Sequence, residues 1–115
     1  MRFYLAKTLN NMKMYGPIPD LLVEPEERVE SYIISEEEID WILENMVYDI
    51  NYHCGTNLDD GDYDFVYPDG CRELINYLDN LPKDFVPSKY KGMIEKLKEY
   101  AQRAIEYNTG IAIEL

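Results

Sequence analysis

Cysteine, histidine and basic residues are all scarce in this chain, and each shortage removes a class of protein. The two cysteines, Cys54 and Cys71, are too few for a disulfide scaffold, so they read as free thiols in a reducing compartment. With a single histidine, His53, a zinc site or a Ser-His-Asp arrangement has almost no parts to draw on. No Gly-rich phosphate loop, internal repeat or low-complexity segment is present, and no cofactor is expected. Long apolar runs are also missing: residues 3–6 are far shorter than the core of a signal peptide, and nowhere do about 18 apolar residues follow one another. A cytoplasmic protein without a membrane segment is the expectation. Lys and Arg number 11 against 23 Asp and Glu, for a net charge of −12, which argues against direct contact with nucleic acid or an anionic membrane.

What is present suffices for a folded domain. Of 115 residues, 46% are hydrophobic and 13% aromatic, well above the composition of a disordered acidic tail. The length is that of one domain, residues 1–115. Its charge is concentrated: residues 1–19 carry +3, residues 20–69 carry −15, and residues 70–115 are neutral. One 50-residue stretch therefore holds more than the whole net charge.

Residues 2–7 alternate β-forming side chains and predict a strand. Gly16, Pro17, Pro19 and Pro25 make residues 8–27 a long loop, and residues 28–34 predict a second short strand. Ser35 followed by Glu38 is a capping box. The run Ile39, Ile42, Leu43, Met46, Val47 and Ile50 then forms one helical stripe, which predicts a helix over 36–51. Tyr63, Phe65 and Tyr67 at period two suggest a strand after an Asp-rich turn. Asp69 is placed to cap a helix over 70–80, Pro87-Ser88 opens a helix over 89–107, and Ile111, Ile113 and Leu115 alternate as a terminal strand. The expected architecture is α+β: a small mixed sheet of three to four short strands, with three helices packed mainly on one face.

The candidate functional surface is the outer side of the predicted first helix. At 100° per residue, Trp41, Tyr48 and Tyr52 fall opposite the apolar stripe, beside Glu37, Glu44 and Asn45. Trp and Tyr dominate interface hot spots, and carboxylates around them would pair with a basic partner. A second reading covers Trp41 and Tyr48 with the Pro-rich loop. The acids of residues 36–49, spread along one helix, approximate the linear charge of a nucleic-acid strand, and Asp59, Asp60, Asp62 and Asp64 extend that field. The expectation is a non-enzymatic acidic inhibitor that covers the basic surface of a nuclease or other nucleic-acid-binding protein, as phage anti-defence (anti-CRISPR or anti-restriction) and toxin-neutralising immunity proteins do. The alternative is a small metal-dependent hydrolase or nucleotide-processing enzyme that uses the Asp59, Asp60, Asp62 and Asp64 cluster to hold a hard cation. His53 adjoins Cys54 in sequence, but adjacent residues of an extended segment point opposite ways, so His53 is poorly placed to activate Cys54, though the fold could bring it to Cys71.

Overall fold

The computed structural model describes all 115 residues, and its fold is α+β. In chain order it comprises β1 (Arg2–Ala6), β2 (Met14–Tyr15), β3 (Ile18–Pro19), β4 (Val29–Ile33), α1 (Glu36–Asn45), α2 (Val47–Cys54), β5 (Tyr63–Val66), α3 (Pro68–Asp79), a single 3₁₀ turn (Ser88–Tyr90), α4 (Lys91–Tyr107) and β6 (Gly110–Glu114). The main sheet has the order β4-β1-β6-β5. Every pair in it is antiparallel, so the sheet is not mixed as expected. Between β5 and β6 the chain runs through two helices and returns antiparallel, where a single crossover helix would have made a parallel neighbour.

Period-two alternation divides the sheet into two faces. Phe3 and Leu5 of β1, Ile111 and Ile113 of β6, and Val66 of β5 turn toward the helices and join their apolar stripes in a core of 21 buried residues. Tyr4, Ala6, Val29, Phe65 and Ala112 point the other way, where Leu21 covers them. The loop expected over residues 8–27 is therefore a lid on the second face. It contains the small β2/β3 hairpin and is fastened by Tyr63, whose hydroxyl donates to the Pro19 carbonyl at 2.7 Å and accepts from the Leu21 amide at 3.0 Å.

The capping box forms as expected. Ser35 Oγ accepts from the Glu38 amide at 3.2 Å, and the Ser35 amide donates to Glu38 Oε1 at 2.9 Å. The helix it starts does not run to residue 51. It breaks at Met46 (φ −131°), and α2 begins at the next residue. Asn45 Nδ2 donates back to the Trp41 carbonyl at 2.9 Å, a side-chain bond of the kind that bends helices, while Met46 itself stays buried. Pro68 opens α3 at its first position with Tyr67 as the capping residue, not Asp69, because a proline at that position gives up a donor no helix uses. No helix is long and apolar enough to cross a membrane.

β6 starts at a position only glycine can fill. Gly110 has φ +153°, and a Cβ there would lie 2.5 Å from the Val66 carbonyl oxygen. Beside it, Thr109 Oγ1 donates to the Ala6 carbonyl at 2.6 Å. Gly110→Ala should therefore cost about 3 kcal/mol through overpacking and backbone strain. Gly92→Ala, in α4 with nothing within 4 Å of the added Cβ, should gain about 0.5–1 kcal/mol from helix propensity. Urea denaturation of the two variants checks both signs.

A candidate partner-binding face on the second helix

The break at Met46 divides the predicted surface in two. Glu37, Trp41, Glu44 and Asn45 lie on α1, Tyr48 and Tyr52 on α2. Trp41 does not face solvent. It is half-buried, with its ring 5.2 Å from Tyr90 and edge-on to Phe85 at 6.0 Å, packed against the main core. The segment covering it is the one leading into α4 and not the Pro-rich loop, which lies across the sheet. Glu37 is tied to the same place: Lys89 Nζ donates to its Oε1 at 2.6 Å and the Tyr90 hydroxyl at 3.1 Å. These bonds hold the Glu37 carboxyl below the usual Glu range. Trp41 and Glu37 thus dock α1 onto the start of α4. Glu44 and Asn45 are exposed, with the Asn45 amide spent on the helix backbone.

On α2 the expectation of exposed aromatics holds. Tyr48 is 83% exposed and Tyr52 80% exposed, four residues apart on one helix face. Beneath them is a stack that local sequence patterns do not reveal. The His53 ring lies 5.0 Å from Tyr77 of α3, nearly parallel to it, and Tyr52 meets His53 edge-on at 5.2 Å. The Tyr77 hydroxyl donates to Asp49 Oδ2 at 3.2 Å, and burial together with Asp49 pushes the Tyr77 phenol well above its ordinary pKa. The stack and hydrogen bond fasten α2 to α3, so Tyr48 and Tyr52 stand on a rigid base. His53 and Tyr77 are 24 positions apart, and only the packing of α2 on α3 brings them together.

The Asp cluster does not converge on a point. Asp64 Oδ1 accepts from the Phe65 amide at 2.8 Å and its Oδ2 from the Asn57 amide at 2.9 Å, while Asp59 Oδ1 takes the Asp60 amide at 2.8 Å. No three carboxylate, thiol or imidazole groups gather as a metal would require. Asp59, Asp60 and Asp62 are exposed and contribute charge rather than ligation. Of the acids from Glu36 to Asp64, only Glu37 belongs to an ion pair.

Neither cysteine is set up as a nucleophile. Both are free, and burial pushes each thiol up to about 12, Glu73 adding to the effect at Cys54 and Cys54 itself at Cys71. Cys71 donates weakly to the Val66 carbonyl at 3.6 Å. The hollow at the junction of α3 and α4, lined by Leu78, Leu81, Pro82, Val86 and Ile94 among others, measures about 200 Å³. That one is below the roughly 300 Å³ at which small-molecule sites begin; hollows of about 350 and 330 Å³ lie along the lid.

No protein-family model and no solved structure matches the chain. A 50-residue segment is 40% identical to cytochrome c oxidase assembly factor 7 of Homo sapiens, covering 44% of this chain and 18% of that protein. The chain thus spans under a fifth of the relative's length.

The two aromatic sets should separate in a stability measurement. Trp41→Ala removes packing against Phe85 and Tyr90 and should cost about 2 kcal/mol or more, whereas Tyr48→Ala and Tyr52→Ala should each stay within about 0.5 kcal/mol of wild type. The thiols provide a second check. At pH 8, iodoacetamide should alkylate native Cys54 and Cys71 at least about a hundredfold more slowly than the urea-unfolded chain, because so little thiolate is present.

Proposed function

We propose that this protein is a non-enzymatic acidic binding protein that neutralises a basic, nucleic-acid-acting partner, with α2 as the contact face. The observation carrying this reading is the pair Tyr48 and Tyr52, more than three-quarters exposed on a helix anchored from below by the His53–Tyr77 stack. Tyrosine offers a large contact area at little rotamer cost and is enriched among residues that dominate binding energy. Around the pair, Glu44 and Asp49 on the helices and Asp59, Asp60 and Asp62 beyond them supply negative charge that no internal base compensates. That arrangement steers a Lys/Arg-rich surface toward the tyrosines. A cytoplasmic setting goes with it.

Within this class, a toxin-neutralising or anti-defence inhibitor that binds through aromatic anchors fits better than strict imitation of a nucleic-acid strand. Imitation needs an even row of carboxylates along one straight helix. Here the row bends at Met46, Glu37 is neutralised by Lys89 and Glu38 is occupied by its capping box. The 50-residue likeness to a protein named as an assembly factor agrees with work done on other proteins. The metal-hydrolase alternative has little support, because the Asp side chains that would hold the cation are turned to backbone amides or to solvent.

Affinity capture from the source cells, with proteins identified by mass spectrometry, tests the reading. The wild type should retain a basic nucleic-acid-binding protein that the Tyr48→Ala/Tyr52→Ala double variant loses. Affinity for that protein should fall at least tenfold between 50 and 500 mM salt, as screening weakens the charge pairing. Equal capture by the double variant, or affinity indifferent to salt, would count decisively against it.

A further inference from the structure

The two edges of the main sheet are finished differently. At β5 the edge is closed: the Asp64 side chain takes the Phe65 amide, and the lid is fastened to the Tyr63 hydroxyl. At β4 it is open. The bonds from Lys7 to Arg28 and from Ile34 to Met1 put the even-numbered residues of β4 in the ladder with β1, so Ser31 and Ile33 aim their amides and carbonyls outward. Neither amide donates to any backbone or side-chain acceptor. Ile33 is 67% exposed, and Leu22 and Val23 of the neighbouring lid are 45% and 57% exposed. A free edge with exposed apolar side chains is the kind that sheet proteins ordinarily cover.

Two hollows adjoin this edge. One, of about 350 Å³, is lined by Arg2, Tyr4, Leu21, Leu22, Glu26 and Ser31 among others. The second, of about 250 Å³, is lined by Lys7, Glu26, Val29, Glu30 and Ser31. Together they outline the space that alternate side chains of one added strand would occupy.

We propose that the occupant is β4 of a second copy of this chain, paired antiparallel across a two-fold axis at Ser31 to give a continuous eight-stranded sheet. The strand is complementary to itself in that register. Ser31 meets Ser31, and Ile33 of each copy lies opposite Val29 of the other, over the hollow formed with Leu21 and Leu22. Glu30 faces Tyr32, so no like charges stand directly opposite one another. The ends of the edge also differ in charge. Arg2, paired in register with Ile33 and bonded to Ser31 Oγ at 3.0 Å, belongs to no ion pair, and neither does Glu26 at the Val29 end. The two-fold brings Arg2 of each copy toward Glu26 of the other, twice in the dimer. The surface is independent of the tyrosine face, since α2 packs on α3 and β4 is the edge strand farthest from β5.

Sedimentation velocity from 1 to 500 µM in 150 mM NaCl tests the proposal. The wild type should show a concentration-dependent monomer–dimer equilibrium, with the Ser31 and Ile33 amides gaining protection from hydrogen exchange as dimer accumulates. Ile33→Lys, on an exposed side chain, and Ser31→Pro, which removes an outward donor, should each weaken dimerisation at least tenfold with circular dichroism unchanged. Arg2→Glu should weaken it, and Arg2→Glu combined with Glu26→Arg should restore it. Tyr48→Ala/Tyr52→Ala should dimerise like wild type, which keeps this result separate from the fate of the tyrosine face. A wild type that stays monomeric throughout would overturn the proposal, as would a dimer insensitive to both edge variants.

Discussion

The pairing of the first strand with the last is the contact on which the other elements depend. β1 lies in the middle of the sheet, in register with β6 from Arg2–Glu114 to Ala6–Gly110 and with β4 on its other side. Remove that ladder and the two halves of the sheet separate, leaving the helices nothing to cover. The pairing joins residues more than a hundred positions apart, so it can form only when nearly the whole chain is available, and such non-local pairing folds slowly. The residues at the closure suit this role. Gly110 lets β6 pass against Val66 where any side chain would collide, and Thr109 donates to Ala6 where β1 ends.

With that ladder in place, the two faces of the sheet have different coverings. On one, α4 lies against β1 and β6 and α3 against β5 and β6, and the packing of the two helices on each other is the most extensive contact between elements. Arg103 of α4 reaches Glu30 at 2.7 Å and Glu99 at 3.2 Å, which ties the outer edge strand to the helical layer and holds Glu30 below the usual carboxyl range. On the other face there is only the lid, held by the Tyr63 hydroxyl, by Lys7 and Arg28 donating to the Glu26 and Asn10 carbonyls, and by a six-residue apolar cluster. A single layer of loop protects less than a pair of helices, so the lid side is where local opening should occur first.

Features dictated by neighbours in sequence were legible beforehand, and those dictated by distant partners were not. The capping box at Ser35, the first and last strands at residues 2–6 and 110–114, and the exposure of Tyr48 and Tyr52 all follow from local spacing. The break at Met46 does not, because the apolar stripe from Ile39 to Ile50 continues in phase across it. Only the Asn45 side chain, turned back onto its own helix, differs from an uninterrupted run. Trp41 misled for a related reason. A helical wheel assigns faces relative to one covering layer, but α1 is covered by two, the sheet-side core and the Phe85–Tyr90 segment. Parallel against antiparallel pairing was likewise invisible, because local alternation is the same in both.

The charge distribution explains how a chain this acidic stays folded. Bases of the carboxy-terminal half are spent where they fasten layers together: Lys89 on Glu37, Arg103 on Glu30, Lys98 on Asp79. The exposed members of these pairs add little stability by themselves, but each marks a junction where a carboxylate would otherwise face a neighbouring element without compensation. Many of the carboxylates left over lie between Glu36 and Asp62, and most of these project into solvent, where water and salt bear most of the repulsion. Such a field acts over a distance of about a Debye length and discriminates poorly at contact, whereas Tyr48 and Tyr52 act only at contact. On the proposed reading, charge and aromatic surface placed on adjoining segments would divide recognition into a long-range step and a short-range one, with the stack of His53 on Tyr77 keeping the short-range step rigid.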